Sequence, residues 1–323
     1  MMAPFLADGR YGLCLLDGGT GHLLKARLGH GNFVQTCAAA HREALTAVHR
    51  DYWNAGASAV TTNTYAATPH HLAKVGKAGQ VTEVCRTACK CAREAAPRVI
   101  GSLPPLGESY VPASDELVAS AAKAYGDMLE GMGDADGLLV ETMVSSREAA
   151  AAAVAARTAR PSAPLVVSTS SDADYARAPT LRGGEPLLSA VRAVDAACIS
   201  AGVAVPDGYG VNCTDAETVL RSVRLLRAAL PRPRIVACYC NVFPSPTSAH
   251  YGERRLPLKR IKHAAIALLR WVFRRRTTGM SPAAFGRHAV ACARAGADVV
   301  GGCCGAGPAH IARAAEELVK ARV

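Results

Sequence analysis

Aromatic residues are scarce in this chain: Phe, Trp and Tyr together make up 5% of 323 residues. With half of the residues hydrophobic, that scarcity requires a core of aliphatic side chains and alanine. Long apolar runs are missing as well. The most extended alanine-rich stretch, AAAAVAARTAR, is short and broken by arginines, which excludes it as a membrane-spanning helix. The start, MMAPFLADGRYG, has no basic region followed by an apolar one, so no secretory signal is expected. No Pro-, Gly- or Ser-rich linker divides the chain, and a single domain over residues 1–323 is expected. Twelve cysteines without a secretory signal fit a reducing compartment, the cytoplasm, where thiols serve metals or catalysis rather than bridges.

The formal charge of +11 is unevenly spread. Residues 253–276, ERRLPLKRIKHAAIALLRWVFRRR, hold nine Lys/Arg and one Glu, a net +8, which leaves +3 for the remainder. Within that segment Leu258, Ile261, Ala265, Leu268 and Val272 recur at helical spacing, consistent with an amphipathic insertion helix. It can be a solvated helix packed on the domain, a contact in a homo-oligomer, or a surface for an acidic membrane or nucleic acid. Nucleic-acid binding is not expected of the chain as a whole.

Eight short apolar runs alternate with helical stretches: YGLCLLDGG, ASAVTTNTY, RVIGSLPP, DGLLVETM, PLVVSTSS, GYGVNCT, RIVACYCN and ADVVGGCC. Continuous rather than alternating apolar runs mark parallel strands buried on both faces. Ser114 and Ser281, the latter followed by Pro282, read as helix N-caps. Eight strand–helix units at this length predict an α/β fold, a (β/α)8 TIM barrel, with a doubly wound open sheet as the alternative. LLDGGTGHLL resembles a nucleotide loop but does not fit G-x-G-x-x-G. Barrel active sites form at the strand C-termini and the loops after them. Here the long loops LPPLGESYVPAS and NVFPSPTSAHYG follow the third and seventh runs.

The run ends carry the chemistry. Asp17-Gly18-Gly19, Thr62 to Tyr65, Glu141, Asn212-Cys213 and Cys303-Cys304 would all meet on one rim. Three thiolates from two strand ends can hold one Zn2+ and leave a fourth position open, as catalytic zinc does. Such a soft site suits an incoming sulfur, whose thiol loses its proton on coordination. Asp17 and Glu141 could hold an ammonium group, and Gly18 and Gly19 would let backbone amides approach a carboxylate. Each residue also has a plainer reading. Asp17 alone could cap a helix, Glu141 could be an ion-pair partner, and a single Cys at a strand end is more often core. Packing is the preferred role for Cys14, Cys85, Cys89, Cys198, Cys292, Cys238 and Cys240.

DGGTGHLL, TTNTYAA, GSLPPLGESY, GLLVETM, GVNCT and GGCCGAGPAHI, in this order, resemble the zinc-dependent homocysteine S-methyltransferase family from about residue 10 to 320. GVNC followed about ninety residues later by GGCCG is the specific part of that signature. The resemblance implies a (β/α)8 barrel with zinc on Cys213, Cys303 and Cys304. It implies that Asp17 and Glu141 bind the amino group of homocysteine, and Gly18 and Asn212 join them as candidate substrate contacts. The implied reaction moves a methyl group from S-methylmethionine or S-adenosylmethionine to homocysteine, giving methionine. The GSLPPLGESY loop looks closer to stand-alone S-methylmethionine-type members than to the betaine type. The basic segment 253–276 departs from the family pattern. Two other readings compete: methylation of a related thiol or selenol such as selenocysteine, and a non-catalytic zinc barrel whose basic segment recruits a partner.

Overall fold

A computed structural model describes residues 10–29, 41–172, 178–243 and 279–322. All eight apolar runs contain strands: β1 (Cys14–Leu15), β2 (Val60–Thr61), β3 (Val99–Leu103), β4 (Gly137–Met143), β5 (Leu165–Thr169), β6 (Gly208–Asn212), β7 (Ile235–Cys240) and β8 (Val299–Gly302). They form one parallel sheet in the order β1-β8-β7-β6-β5-β4-β3-β2. A parallel bridge between Leu16 and Ala59 joins its two ends. Ser58 secures the same seam, its Oγ accepting from Leu15 N–H and its amide donating to the Leu15 carbonyl. The sheet therefore closes on itself as a TIM-type barrel, and the open-sheet alternative falls.

Strand alternation decides what fills the two layers. Cys14, Leu16, Ile100, Leu139, Val166, Ile235 and Tyr239 point inward and pack with one another inside the barrel. The intervening residues, among them Leu15, Val99, Val140, Val167, Val211 and Cys238, point outward into the larger core shared with the helices. That outer core is built mainly from aliphatic side chains and alanine, as the composition demands, with buried tyrosines such as Tyr52 and Tyr125 among them. Cys14, Cys85, Cys89, Cys198, Cys238, Cys240 and Cys292 are all buried free thiols, so the packing reading holds for each.

The helices are α1 (Thr20–Leu28), α2 (Arg42–Asn54), α3 (Pro69–Ala73), α4 (Val81–Ala95), α5 (Asp115–Ala119), α6 (Ala121–Gly131), α7 (Ser146–Ala159), α8 (Leu187–Ser200), α9 (Ala216–Ala229), α10 (Pro282–Arg294) and α11 (Pro308–Ala321). Ser114 and Ser281 cap α5 and α10 as expected, their hydroxyls accepting from Leu117 N–H and Ala284 N–H. None of these helices is long and apolar enough to cross a membrane. The basic segment 253–276 lies outside the described residues.

Candidate active site

The C-terminal rim of the barrel surrounds a cavity of about 640 Å3. Its walls include Asp17, Gly18, Thr61, Tyr65, Tyr110, Glu141, Cys213, Tyr239, Asn241, Phe243, Cys303 and Cys304. Both loops singled out in the sequence reach it, the first through Glu108, Ser109 and Tyr110, the second through Asn241 and Phe243. A groove of similar size, about 660 Å3, lies outside the barrel between α9, α10 and α11, lined by Arg224, Arg287, Arg294 and Lys320. It contains none of the rim residues and no strand end.

Backbone geometry brings the three sulfurs together. Cys213 follows β6 directly, and its amide still bonds the Tyr239 carbonyl at 3.2 Å. Its φ of +55° then throws the chain out of the strand and turns the side chain toward the rim. Cys303 and Cys304 follow β8 in a four-residue turn closed by Ala306 N–H to the Cys303 carbonyl at 3.1 Å. Gly305, the third residue of that turn, has a φ of +79°, the left-handed value a type II turn needs. Asn241 fixes the turn from just past the end of β7, its Oδ1 accepting from Cys304 N–H at 3.1 Å. The outcome is a cluster in which the sulfurs of Cys213, Cys303 and Cys304 lie within 4.8 Å of one another. Cys213 and Cys304 are 3.5 Å apart. Sulfurs on a tetrahedral zinc are about 3.8 Å apart, given Zn–S bonds of about 2.3 Å, so the cluster fits that ion.

The electrostatics agree. Hydrogen bonds from Cys303 and Cys304 hold the Cys213 thiol well below the ordinary range. Those same contacts push Cys303 well above it, and the contact with Cys213 does the same to Cys304. One negative charge is thus comfortable among the three sulfurs and three are not. A cation at their centre is what would let all three ionise.

The glycines serve this turn. A Cβ on Gly18 would lie 2.1 Å from the Ala306 carbonyl oxygen, and one on Gly19 would lie 2.8 Å from the Cys303 carbonyl. Gly19 N–H and the Tyr52 hydroxyl both donate to the Ala306 oxygen, at 2.9 and 2.8 Å. The close approach foreseen at Gly18-Gly19 is therefore made by the cysteine turn. The Gly19 amide is spent on it, and both Gly18 and Gly19 line the cavity.

Asp17 does not cap α1. Its carboxylate reaches across to β2, accepting from Thr61 N–H at 2.8 Å and from the Thr61 hydroxyl at 2.9 Å. Burial dominates over these bonds and raises its pKa from 3.8 to about 7. Glu141 lies inside β4 rather than at its end. The β4–β5 register shifts between Val140 and Met143, and Thr142 has a φ of +61°. Glu141 keeps the inward parity of Leu139 and so faces the cavity, and the chain kinks immediately after it. Burial lifts Glu141 from 4.5 to about 7 as well, opposed by a hydrogen bond from Ser102 and reinforced by the Cys213 and Asp17 charges.

Asn212 sits behind this wall, fully buried and not among the cavity-lining residues. Its Oδ1 accepts from Thr142 N–H and the Ser168 hydroxyl, each at 2.8 Å. Its Nδ2 donates to the Thr142 hydroxyl at 2.8 Å and to Glu141 at 3.5 Å. The structure places Asn212 as the brace of the Glu141 bulge. Sequence reasoning missed Thr61, Tyr110, Tyr239 and Asn241 as wall residues. Tyr239, the middle residue of the C-x-C of β7, and Asn241, just after it, share the inward parity, a signal that period-two counting could have used. Tyr110 lies in a loop and has no such periodicity. Burial and the neighbouring thiol charges hold the Tyr110 phenol well above its ordinary range, so it keeps its proton.

A sequence model of the homocysteine S-methyltransferase family matches residues 14–318. Betaine–homocysteine S-methyltransferase 1 of Danio rerio is 28% identical over 317 residues, covering 94% of this chain and 72% of the relative. The Rattus norvegicus protein of the same name is 27% identical over 322 residues, covering 95% and 72%. Among solved structures, the metallated form of the homocysteine methyltransferase MmuM from Escherichia coli superposes with a TM-score of 0.69 at 24% identity. That match covers 96% of each chain and bears on the fold.

Proposed function

The chain belongs to the homocysteine S-methyltransferase family, and from that premise we propose that it methylates the sulfur of L-homocysteine in a zinc-dependent reaction that yields L-methionine. One observation carries this reading: three sulfurs within 4.8 Å of one another open onto the same cavity as two buried carboxylates. A thiol and an ammonium group on one small substrate would meet both features. A zinc ion held by Cys213, Cys303 and Cys304 would supply thiol deprotonation at neutral pH.

The remaining work falls to the chain's own residues. Asp17 and Glu141 take the ammonium group, and its positive charge favours the ionised form of both acids, which burial otherwise opposes. Thr61 and Asn212 keep the two carboxylates aimed. The rim fixes the nucleophilic sulfur so that a donor can present its methyl group in line. Tyr65, Tyr110, Tyr239 and Phe243 line the cavity and offer π faces to a donor carrying a positive charge. A sulfonium donor, S-methylmethionine or S-adenosylmethionine, is the preferred reading, resting on the GSLPPLGESY loop. Cytoplasmic location and a place in methionine synthesis belong to the same proposal. The eleven described cysteines, all free thiols, support it. A single domain over residues 1–323 is part of the same proposal.

The test incubates zinc-loaded protein and homocysteine separately with S-methylmethionine, S-adenosylmethionine and betaine, and measures methionine. Methionine formed from a sulfonium donor, with Cys304→Ala losing both bound metal and turnover, is the expected result. Full turnover in a metal-free Cys304→Ala protein would overturn the reading. Methionine from betaine alone would replace the donor assignment.

A further inference from the structure

A site built this way faces a selectivity problem. Its three protein sulfurs are nucleophiles of the same kind as the substrate sulfur, and any of them could take the methyl group. The bond from methyl to a sulfonium donor would break with its electron pair staying on the donor sulfur. A new carbon–sulfur bond would form at the protein thiolate, and the donor would leave as a neutral thioether. Nothing else is consumed, so apart from in-line alignment only relative nucleophilicity prevents it. A hydrogen bond to a thiolate ties up one of its lone pairs and lowers that nucleophilicity.

Tyr110 makes such a bond. Its hydroxyl lies 2.9 Å from Cys213 Sγ. Tyr110 is held there against local preference, with a φ of +66° in a residue that has a Cβ. The guanidinium of Arg182 stacks on its ring, 4.5 Å from the centroid. A cation on the ring face draws electron density from the phenol and makes it a stronger donor. Arg182 is itself buried, its side chain 2% exposed. It is anchored by Nε donating to Ser170 Oγ at 3.0 Å and by Asp172 at 3.2 Å. Ser170 Oγ in turn donates to the carbonyl of Cys213 at 3.3 Å. Tyr110, Arg182, Ser170 and Cys213 thus close a ring of contacts that fixes the phenol against that one sulfur.

We propose that Tyr110 is a selectivity residue, acting through Cys213: its hydroxyl donates to Cys213 Sγ and protects this sulfur from methylation, leaving the substrate sulfur to react. The inference rests on the proposed function, in which Cys213 is a zinc ligand beside a methyl donor.

The probe is methyl iodide, applied to zinc-loaded wild type and Tyr110→Phe without substrate, with peptide mass spectrometry reading the methyl on each cysteine. In Tyr110→Phe the share of methyl on Cys213, relative to Cys303 and Cys304, rises about tenfold, the worth of one hydrogen bond to a charged group. In the cobalt(II)-loaded variant the sulfur-to-metal charge-transfer band moves to lower energy. An unchanged share with metal bound overturns the inference, as does an equal rise at all three cysteines, which would mark general loosening. A wild type that binds no metal overturns the functional reading and the inference with it. Should Tyr110→Phe fail to fold, 3-fluorotyrosine placed at position 110 is a stronger donor and must lower the Cys213 share; no change or a rise overturns the inference.

Discussion

Replacing Asp17 with Asn should stabilise the protein while removing its function. The Asp17 carboxylate is 2% exposed, and burial outweighs the Thr61 bonds that favour its charge. Its pKa moves from 3.8 to about 7, which corresponds to about 4 kcal/mol opposing ionisation in the folded state, at about 1.4 kcal/mol per pH unit. Between about pH 4 and pH 7 the folded protein binds a proton at Asp17 and the unfolded chain does not. Stability therefore falls as pH rises through that window, and the full cost is present above it. About 2 kcal/mol of the cost is added between about pH 5.5 and pH 8. For 323 residues, unfolding entropy converts 1 kcal/mol into roughly 1.5 °C. The melting temperature of Asp17→Asn should thus gain about 3 °C on wild type between those two pH values. Asn keeps an acceptor for Thr61 N–H, so the change in the gap, rather than the gap itself, isolates the charge. Thermal melts of both proteins in the same metal-loaded form, without substrate, read this directly. A gap that stays constant, or that closes as pH rises, would refute the argument. The same charge should matter in the opposite sense for substrate. Homocysteine affinity of the wild type should rise with pH through about 7, as both acids become ionised to meet the ammonium group, and Asp17→Asn should lose most of that affinity in calorimetric titration.

Gly18→Ala would drive a Cβ to within 2.1 Å of the Ala306 carbonyl. It should cost about 1–3 kcal/mol and weaken metal affinity measured by chelator competition. Gly126→Ala in α6, where a Cβ meets nothing within 4 Å, should instead be neutral or gain up to about 1 kcal/mol. Asn212→Ala strips the acceptor from Thr142 N–H and the Ser168 hydroxyl, leaving buried donors that cost about 1–3 kcal/mol each. It should also raise the KM for homocysteine through a misplaced Glu141, and an unaltered KM in steady-state kinetics would remove Asn212 from the positioning role.

Much of this protein was legible before folding. The eight apolar runs became eight strands because a strand buried on both faces must be apolar throughout, and that demand is written locally. The caps at Ser114 and Ser281 were legible for the same reason, since a cap is a contact between near neighbours. The candidate ligands Cys213, Cys303 and Cys304 could be named because a barrel carries all its strand ends to one rim.

What tertiary structure alone decided is how those residues are aimed. Whether three thiols fall within reach of one ion depends on a left-handed kink at Cys213 and on the turn through Gly305. The kink at Thr142, just after the inward-facing Glu141, is announced by no pattern in GLLVETM, and Asn212 braces that kink from the next strand but one. Gly18 is required by the carbonyl of Ala306, nearly three hundred residues away. Tyr110 meets Cys213 from a loop whose residues have no periodicity to read. Sequence fixes what can be inferred from neighbours a few residues apart: burial, caps and strand ends. Contacts between distant segments depend on where closure of the whole barrel leaves them, and it is those contacts that turned a set of plausible residues into one site.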